Sequence, residues 1–352
     1  MTTVKPIKFG LIGHGHIGKR HALMIKHNPE TQLLAICDIK AKEELELHDF
    51  GGRFYGQYQD MLQQEPELDI VIVATPNGLH EEHALAILDA GKHVVIEKPM
   101  ALTKAGCEAI IFKSLKMSRQ VFCVMQNRYS PPSIWLKDLV EKGILGDIYM
   151  VQVNCFWNRD ERYYRPGSWR GTKKLDGGTL FTQFSHFVDI LYWLFGDITD
   201  ISGKFSDFSH QDSTDFEDSG FVNFRFTAGG MGSINYSTAV WKQNLESSLT
   251  ILAEKGAVKI GGQYMNKVEI CEIEQYEMPE LAASNPPNDY GYYKGSAANH
   301  IYVLENVVET LKGENTITTN AMEGLKVVEI IERIYQIRNN KESFSLKKRS
   351  HP

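Results

Sequence analysis

Short apolar runs alternate with helical stretches along the first ~125 residues, and few folds accept that order. The runs lie at 7–12, 33–37, 70–74, 93–97 and 121–125. Near-continuous apolar runs of this length are typical of parallel strands buried on both faces. Between them, segments such as 79–90 repeat their apolar residues at helical spacing. The alternation predicts an α/β domain, a Rossmann-type doubly wound parallel sheet, over residues 1–126.

The pattern changes after residue 126. A helix is predicted over 131–143, and another over 176–197 interrupts a series of alternating segments joined by short turns. Those segments are 147–157, 199–209, 219–227, 231–241, 247–254 and 257–261. Helical patterns return at ~298–312 and ~321–338. We predict a second, α+β domain with an open, mainly antiparallel sheet over 127–340, whose last helix can pack back on the first domain, and a tail over 341–352.

Composition excludes several classes of protein. A formal net charge of −6 does not suit a protein that binds nucleic acid or an anionic membrane surface. No apolar run approaches the ~20 residues of a membrane span, and the N-terminus lacks the apolar region of a signal peptide. The five cysteines are widely spaced, without a Cys-x-x-Cys pair, which favours a reducing compartment over disulfides or zinc. We expect a cytoplasmic protein.

Residues 13–18, GHGHIG, match the G-x-G-x-x-G pattern of dinucleotide sites. The match follows a predicted strand and opens a predicted helix, and Asp38 ends the next strand. The glycines allow the tight turn, the approach of the pyrophosphate and close helix packing. An acidic residue at position 38 would bind a ribose and repel a 2′-phosphate, which favours NAD over NADP. The cofactor contacts predicted in this segment are Gly13, Gly15, His16, Ile17, Gly18 and Asp38.

Polar residues follow the fourth and fifth runs, at the sheet edge where such folds bind ligands. The first group could line the cofactor and comprises Thr75, Pro76, Asn77 and His80. His80 and His83 are three residues apart, whereas a zincin needs four, so we predict no metal site and a structural His83. The fifth run ends in Glu97-Lys98-Pro99. Partial burial there would lower the pKa of Lys98 and suit it to proton transfer.

The segment 176–197, DGGTLFTQFSHFVDILYWLFGD, places polar side chains inside an apolar helix. Thr182, His186 and Asp189 recur at helical spacing and share a face. A histidine in such a helix is, taken alone, more often a core residue with satisfied hydrogen bonds than a catalytic one. Beside Lys98 and a cofactor site, the catalytic interpretation is favoured.

These motifs, with ATPN at 74–77 and EKP at 97–99, occur in one order along the chain. Together they resemble the Gfo/Idh/MocA oxidoreductase family over essentially its whole length. The resemblance implies an NAD-dependent dehydrogenase acting on CH–OH groups, with Lys98 and His186 as the catalytic pair. Many members carry Asp where this chain has Thr182, so we expect Lys98 to carry more of the proton transfer. Asp189 would either orient His186 or make a structural contact.

The loop 155–178 interleaves arginines with aromatic residues. Such a mixture can bind single-stranded nucleic acid, but the acidic chain favours a small anionic ligand; a solvated surface loop is the other interpretation. Contacts to the cofactor are expected from Glu97 and Lys98 and, as the resemblance implies, from Trp169 and Arg170. Contacts to the substrate are expected from Lys98, Arg159, Tyr163, Tyr164, Arg165, Thr182, Gln183 and His186.

The loop and the helix after it resemble the sugar-nucleotide branch of the family. That resemblance implies a hydroxyl–ketone interconversion at the sugar 3-position of a UDP-N-acetylhexosaminuronic acid, in the synthesis of surface-polysaccharide sugars. Two alternatives stay open: a myo-inositol or free-aldose dehydrogenase of the same family, and a redox sensor that holds NAD without turnover. The resemblance also implies a homodimer or homotetramer formed through the open sheet.

Overall fold

The computed structural model describes residues 5–340. These residues group into two compact units. The first contains residues 5–125 and 300–328, and the second contains residues 126–299 and 329–340. Among residues 5–340, no helix combines the length and the apolar character needed to cross a membrane.

The first unit is built on a six-stranded parallel sheet. Its elements are β1 (Ile7–Ile12), α1 (His16–His27), β2 (Thr31–Cys37), β3 (Arg53–Tyr55), α2 (Tyr58–Gln64), β4 (Ile70–Val73), α3 (His80–Asp89), β5 (His93–Ile96), α4 (Lys104–Met117) and β6 (Val121–Cys123). The strand order is β3-β2-β1-β4-β5-β6, and every pair is parallel. The predicted doubly wound sheet is therefore confirmed. The sequence missed β3, a three-residue, partly exposed edge strand without an apolar run.

Two helices from the far end of the sequence complete this unit. They are α7 (His300–Lys312) and the first residues of α8 (Ala321–Asn340). α7 packs on α1, and the Cys123 N–H donates to the Thr319 carbonyl at 3.0 Å. The apolar side of α7 is buried, including Val303, Leu304 and Val307.

The second unit contains a seven-stranded sheet with the order β13-β12-β11-β7-β10-β9-β8. Its elements are α5 (Pro131–Glu141), β7 (Ile148–Phe156), α6 (Ser185–Phe195), β8 (Ile198–Ser206), β9 (Ser219–Phe226), β10 (Met231–Ser237), β11 (Glu246–Ala253), β12 (Gly256–Gly261) and β13 (Lys267–Ile273), with a small hairpin of β14 (Pro287–Asp289) and β15 (Lys294–Ala297). Only β7 and β10 pair in parallel within the large sheet. The mainly antiparallel prediction is confirmed.

One face of this sheet carries the core. Trp157 contacts Phe184 and Phe187 edge-on, at ring-centroid distances of 5.3 and 5.8 Å, and Phe184 also contacts Tyr236. These contacts hold α6 and the turn before it against the strands. The period-2 burial of β9 shows why the sheet is recognisable in the sequence, since buried and exposed residues alternate along it.

Three details of this unit differ from the sequence expectations. The segment predicted as a strand over 231–241 ends at Ser237, before Lys242, which has a positive φ of 63°. The strands β13, β14 and β15 were not predicted, because β13 is a charged, largely exposed edge strand and the other two are very short. The single helix predicted over 176–197 is instead a π-helical turn, Leu180–Phe184, followed by α6.

Candidate active site

The glycine-rich turn between β1 and α1 has the geometry of an anion site. Gly13 has φ of +91°, and a side chain there would meet the Ala74 carbonyl at 2.6 Å. A Cβ at Gly18 would lie 2.0 Å from the Gly13 oxygen, whereas a Cβ at Gly15 would meet nothing within 4 Å. Gly15 is the N-cap of α1 and gives the helix no side-chain hydrogen bond. The first N–H groups of α1 are therefore presented beside open space, as a pyrophosphate requires.

Asp38 lies next to this turn, at the end of β2. Its Oδ2 accepts a hydrogen bond from the His14 N–H at 2.6 Å, and its Oδ1 accepts from the Lys40 N–H at 2.9 Å. The carboxylate is thus fixed by the main chain and is only partly buried. Each oxygen keeps a further lone pair for a ribose hydroxyl. The residues present fit an adenosine dinucleotide with a free 2′-hydroxyl.

Two single glycine substitutions are expected to have different effects, one on folding and the other on cofactor binding. Gly18→Ala is expected to destabilise the protein, because its methyl group would overlap the Gly13 carbonyl. Gly15→Ala is expected to fold normally, because that position is open, yet to bind NAD about tenfold more weakly, a loss of about 1.4 kcal/mol. Thermal unfolding with and without NAD measures both effects. A Gly15→Ala protein with a wild-type shift in NAD would contradict the assignment.

The residues after β4 are held by two histidines. His80 is fully buried, and its two ring nitrogens lie 2.7 Å from the Pro99 carbonyl and 2.9 Å from the Thr75 carbonyl. His83 contacts the Thr75 hydroxyl at 3.0 Å, and burial lowers the pKa of His83 to about 4. His80 therefore joins the chain after β4 to the chain after β5. A direct contact between His80 and a cofactor stays a prediction. The complete burial of the His80 side chain argues against it.

Glu97, at the end of β5, is a buried carboxylate between two histidines. Its Oε1 is 2.7 Å from His21 Nε2 and 3.8 Å from His300 Nε2. Burial by itself would raise the pKa of Glu97, but the hydrogen bond from His21 and the charges nearby outweigh it and hold the pKa at about 2. Glu97 is thus ionised at any working pH. It places a fixed negative charge one residue before Lys98, which is itself only partly buried.

In the second unit, α6 and the turn before it carry three of the predicted site residues, Thr182, Gln183 and His186. His186 is buried, and its Nε2 lies 3.1 Å from the side-chain amide nitrogen of Gln126. In a neutral imidazole this Nε2 accepts the amide N–H, which places the ring proton on Nδ1. Asp189 forms a two-pronged ion pair with Arg128, at 2.5 and 2.8 Å. The main interaction of Asp189 is therefore this ion pair, which agrees with the alternative in which Asp189 makes a structural contact.

Thr182 lies in the π-helical turn and is hydrogen-bonded to Asp176. The Thr182 hydroxyl makes a short hydrogen bond to Asp176 Oδ1 and also lies 3.0 Å from the Asp176 carbonyl. The Gly171 N–H donates to the other carboxylate oxygen of Asp176 at 2.8 Å. Burial raises the pKa of Asp176 to about 6, although both hydrogen bonds favour its ionised form. π-Helical turns of this kind are frequent at functional sites.

The arginines of the loop 155–178 differ in burial and in their hydrogen-bond partners. Arg159 is buried and donates to Gln183 Oε1 at 2.6 Å, to Asn244 Oδ1 at 3.2 Å and to the Lys294 carbonyl at 3.1 Å. Arg162 is paired with Asp160 at the surface. Arg165 is exposed and Arg170 is partly buried. Within residues 5–340, neither of these two makes an ion pair with a carboxylate.

Arg170 lies among aromatic rings. Its guanidinium is 4.3 Å from the Tyr163 ring centroid and 5.7 Å from that of Tyr293. Its Nε is buried and has no hydrogen-bond partner among the described residues. Gln183 completes the surroundings, because its amide donates to the Tyr163 hydroxyl at 2.7 Å. A cation without an ion pair beside aromatic faces is suited to an anionic, ring-containing ligand.

The predicted residues thus divide by accessibility. The exposed or partly buried ones are Gly15, His16, Ile17, Asp38, Thr75, Lys98, Arg165, Trp169 and Arg170. The buried ones are Gly13, Gly18, Asn77, His80, Glu97, Arg159, Tyr163, Tyr164, Thr182, Gln183 and His186. Tyr164 packs edge-on against Tyr163 and His210 and belongs to a small aromatic core.

Sequence reasoning missed several residues that shape the site. These are His21 and His300 around Glu97, Gln126 beside His186, Asp176 beside Thr182, and Tyr293 beside Arg170. One signal was available: Gln126 directly follows the end of the last apolar run of the parallel sheet, where ligand-binding residues cluster. The others depend on contacts between distant parts of the chain.

One further polar group has metal-ligating residue types. Ligand atoms of Asp207, His210 and Asp218 lie within 4.8 Å of one another, the one such group found among the described residues. They are engaged with each other and the main chain. His210 bonds to Asp218 at 3.2 Å and to the Arg159 carbonyl, and Asp218 also accepts the Phe208 and Ser209 N–H groups. These hydrogen bonds fix the main chain of the loop 155–178 at Arg159.

Comparison with known families accounts for this arrangement. The family model described as "Oxidoreductase family, NAD-binding Rossmann fold" matches residues 7–124, and that of the GFO/IDH/MocA C-terminal domain matches residues 134–259. The chain belongs to the Gfo/Idh/MocA oxidoreductase family. The predicted resemblance, the Rossmann domain and NAD as cofactor are confirmed.

Two solved structures resemble almost the whole chain. The WlbA dehydrogenase from Bordetella pertussis, crystallised with NADH and UDP-GlcNAcA, is 33% identical with a TM-score of 0.83, over 97% of this chain and 100% of that one. The WlbA dehydrogenase from Chromobacterium violaceum, in the same kind of complex, has the same identity and TM-score and covers 97% and 96%.

Curated relatives match over a shorter stretch. The scyllo-inositol 2-dehydrogenase (NADP(+)) IolW from Bacillus subtilis is 32% identical over 197 residues, which is 55% of this chain and 53% of the relative. The chain therefore spans about half the length of the curated relatives it matches.

Proposed function

We propose that this Gfo/Idh/MocA protein is an NAD-dependent dehydrogenase of a sugar nucleotide, and that it oxidises the sugar 3-hydroxyl of a UDP-N-acetylhexosaminuronic acid. The observation that carries the proposal is Arg170, a cation without an ion pair among the described residues, set against the rings of Tyr163 and Tyr293. A diphosphate or carboxylate satisfies that guanidinium, and aromatic faces cover a sugar or base. The likeness to two WlbA dehydrogenases solved with UDP-GlcNAcA supports the same substrate.

Under this proposal, different residues bind the cofactor and transfer the proton. The turn Gly13–Gly18 holds the pyrophosphate and Asp38 holds the adenosine ribose. Bound NAD supplies the hydride acceptor. Lys98 and His186 exchange the proton of the sugar hydroxyl, as a general acid–base pair does. Glu97 gives Lys98 a fixed neighbouring anion, and Gln126 holds the His186 ring in one orientation.

Thermal unfolding with single ligands tests the substrate class. A ligand at 100 times its Kd adds about 2.7 kcal/mol of stability, so NAD and UDP are each expected to raise the midpoint. In this proposal Arg170 contacts the substrate and not the cofactor, the contact that the resemblance implied. Arg170→Ala is therefore expected to lose the UDP shift and to keep the NAD shift. Arg162→Ala is the matched control, because Arg162 is already paired with Asp160 at the surface.

Other outcomes of this experiment would support one of the alternative functions. Stabilisation by myo-inositol without stabilisation by UDP would replace the proposal with the inositol dehydrogenase alternative, to which the curated relatives point. A protein that holds NADH tightly and turns over none of these substrates would be a redox sensor. NADP is included in the same experiment, and a larger shift with NADP than with NAD would contradict the role of Asp38.

We also propose that the protein is a cytoplasmic homodimer or homotetramer. Its five cysteines are free thiols, four of them buried, which suits a reducing compartment. On the uncovered face of the large sheet, Leu252, Met150 and Met231 lie side by side on adjacent strands and are exposed, with Phe221 nearby on that face. Such an apolar face suits contact with a second copy. A monomeric mass in light scattering would exclude it.

A further inference from the structure

The start of the π-helical turn before α6 is held by groups from outside the turn. Thr179, the N-cap, gives the turn no side-chain hydrogen bond, and its hydroxyl instead donates to the Glu217 carbonyl at 2.5 Å. The Leu180 N–H donates to the Tyr335 hydroxyl at 2.9 Å. Because Leu180 is completely buried, water cannot replace that acceptor. Tyr335 therefore caps this turn, as an N-cap side chain does in an ordinary helix.

Tyr335 lies so close to this segment that position 178 requires glycine. Gly178 has φ of +135°, and a Cβ there would lie 2.5 Å from the Tyr335 hydroxyl oxygen. The Tyr335 ring also packs against Phe181, with the ring centroids 5.7 Å apart. The second glycine of the sequence DGG, 176–178, therefore has a tertiary reason, which is the approach of a side chain from α8.

A polar network around Glu217 fixes the Tyr335 hydroxyl. The Glu217 side chain is almost completely buried. Its Oε1 accepts the Tyr236 hydroxyl at 2.8 Å, its Oε2 lies 2.6 Å from the Arg338 guanidinium, and the Tyr335 hydroxyl is hydrogen-bonded to the same carboxylate. The Tyr335 hydroxyl thus donates to Glu217 while it accepts from Leu180. A buried network of this kind holds its members in one arrangement.

The π-helical turn determines how its side chains are oriented relative to α6. Residues 180–184 lead directly into α6. A π-helical turn contains one more residue than an α-helical turn, so relaxation to an α-helix would rotate the residues before the junction by about 100° relative to α6. Gln183 lies in this turn, accepts the Arg159 Nε–H at 2.6 Å and donates to the Tyr163 hydroxyl at 2.7 Å. Such a rotation would break both hydrogen bonds.

We propose that Tyr335 is a positioning residue of the reaction, whose hydroxyl caps Leu180 and thereby keeps the π-helical turn that orients Thr182 and Gln183 relative to His186. This inference rests on the proposed function, in which His186 exchanges the proton and Thr182 and Gln183 contact the substrate. Tyr335 acts through the main chain of the turn and exchanges no proton itself.

Tyr335→Phe tests this role because it removes only the hydroxyl and keeps the ring that packs against Phe181. We expect kcat to fall by about 10–100-fold, as a misplacement of about 1 Å in an active site can cause, and the Kd of NAD to stay unchanged. The kinetics are measured well below the unfolding midpoint of the variant, so that partial unfolding does not contribute. The substrate is whichever of the UDP-N-acetylhexosaminuronic acid and myo-inositol the wild-type enzyme oxidises.

Tyr236→Phe is the matched control. It is the same substitution in the same network and removes a hydrogen bond to the Glu217 carboxylate, but it leaves the Leu180 N–H capped by Tyr335. We expect a loss of stability with the wild-type kcat. A wild-type kcat in Tyr335→Phe, or an equal fall of kcat in both variants, would overturn the proposal.

Two measurements without substrate separate this test from the proposed function. Amide hydrogen exchange of the segment 180–184 is expected to be faster in Tyr335→Phe than in the wild type and in Tyr236→Phe. A crystal structure of Tyr335→Phe is expected to show the turn in a different register, with Gln183 displaced from Arg159 and Tyr163. An intact turn with wild-type exchange would overturn this inference even if the substrate assignment holds. A wild-type protein that oxidises only myo-inositol would refute the proposed substrate, and the kinetics with myo-inositol would still decide the role of Tyr335.

Discussion

Replacing Lys98 by methionine is expected to lower kcat/KM by about 10²–10⁴-fold, the usual contribution of a general acid or base, and to leave NAD affinity nearly unchanged. Methionine keeps the length of the side chain and removes its nitrogen. In the proposed function the cofactor is held mainly by the turn after β1 and by Asp38, which the substitution does not touch. Steady-state kinetics and NAD titration measure the two effects.

Lys104→Met is the matched control for Lys98. Lys104 is the first residue of α4, and its ammonium lies 3.9 Å from the exposed Glu108 carboxylate. An exposed pair of this kind contributes little, so the loss of Lys104 is expected to change neither quantity. Near wild-type turnover in Lys98→Met would remove Lys98 from the acid–base pair. A large loss of NAD affinity would show instead that Lys98 is chiefly a cofactor-binding residue.

Replacing Asp189 by asparagine is expected to lower the free energy of unfolding by about 3–5 kcal/mol, as the loss of one partner of a buried ion pair does. Arg128 and Asp189 are both almost fully buried and are joined by two hydrogen bonds. The substitution leaves the Arg128 cation without a charged partner at that position, in a place where water cannot replace it. Urea denaturation followed by circular dichroism measures the loss.

Two further variants test whether burial is the reason. Asp160→Asn removes one partner of the surface pair with Arg162, and its cost is expected to stay below about 1 kcal/mol. The double replacement Arg128→Met with Asp189→Leu is expected to recover most of the stability lost in Asp189→Asn, because it removes both charges. Equal losses for Asp189→Asn and Asp160→Asn would contradict this account.

The first unit could be predicted in detail because its constraints are local. Five of the six parallel strands contain a near-continuous apolar run, and the glycine turn is dictated by the space that a side chain would need at Gly13 and Gly18. The edge strand β3 was missed because only one side of it has a neighbouring strand. The return of α7 to this unit is a contact between distant parts of the chain, and no local pattern encodes it.

The second unit shows where local patterns fail. Four arginines of one loop are alike in the sequence, yet Arg162 finds Asp160 two residues away while Arg159 finds partners up to 135 residues away. The sequence cannot distinguish such cases, because the outcome depends on tertiary contacts. Asp176 was visible only as the first residue of a helix. The π-helical turn that brings Thr182 to it adds a residue to the helix without any change in composition.

The division of the first unit into two stretches has a consequence for synthesis on the ribosome. Residues 126–299 emerge between the two stretches, which takes roughly 10–35 s at about 5–20 residues per second. During that interval the surface that α7 will cover is open, and Glu97 still lacks His300 as a neighbour. Synthesis of the first unit therefore begins before that of the second unit and ends only after residues 126–299 have been made. A nascent chain that ends after residue 125 would leave exposed the apolar surface that α7 covers in the complete protein, and exposed apolar surface of this kind favours aggregation.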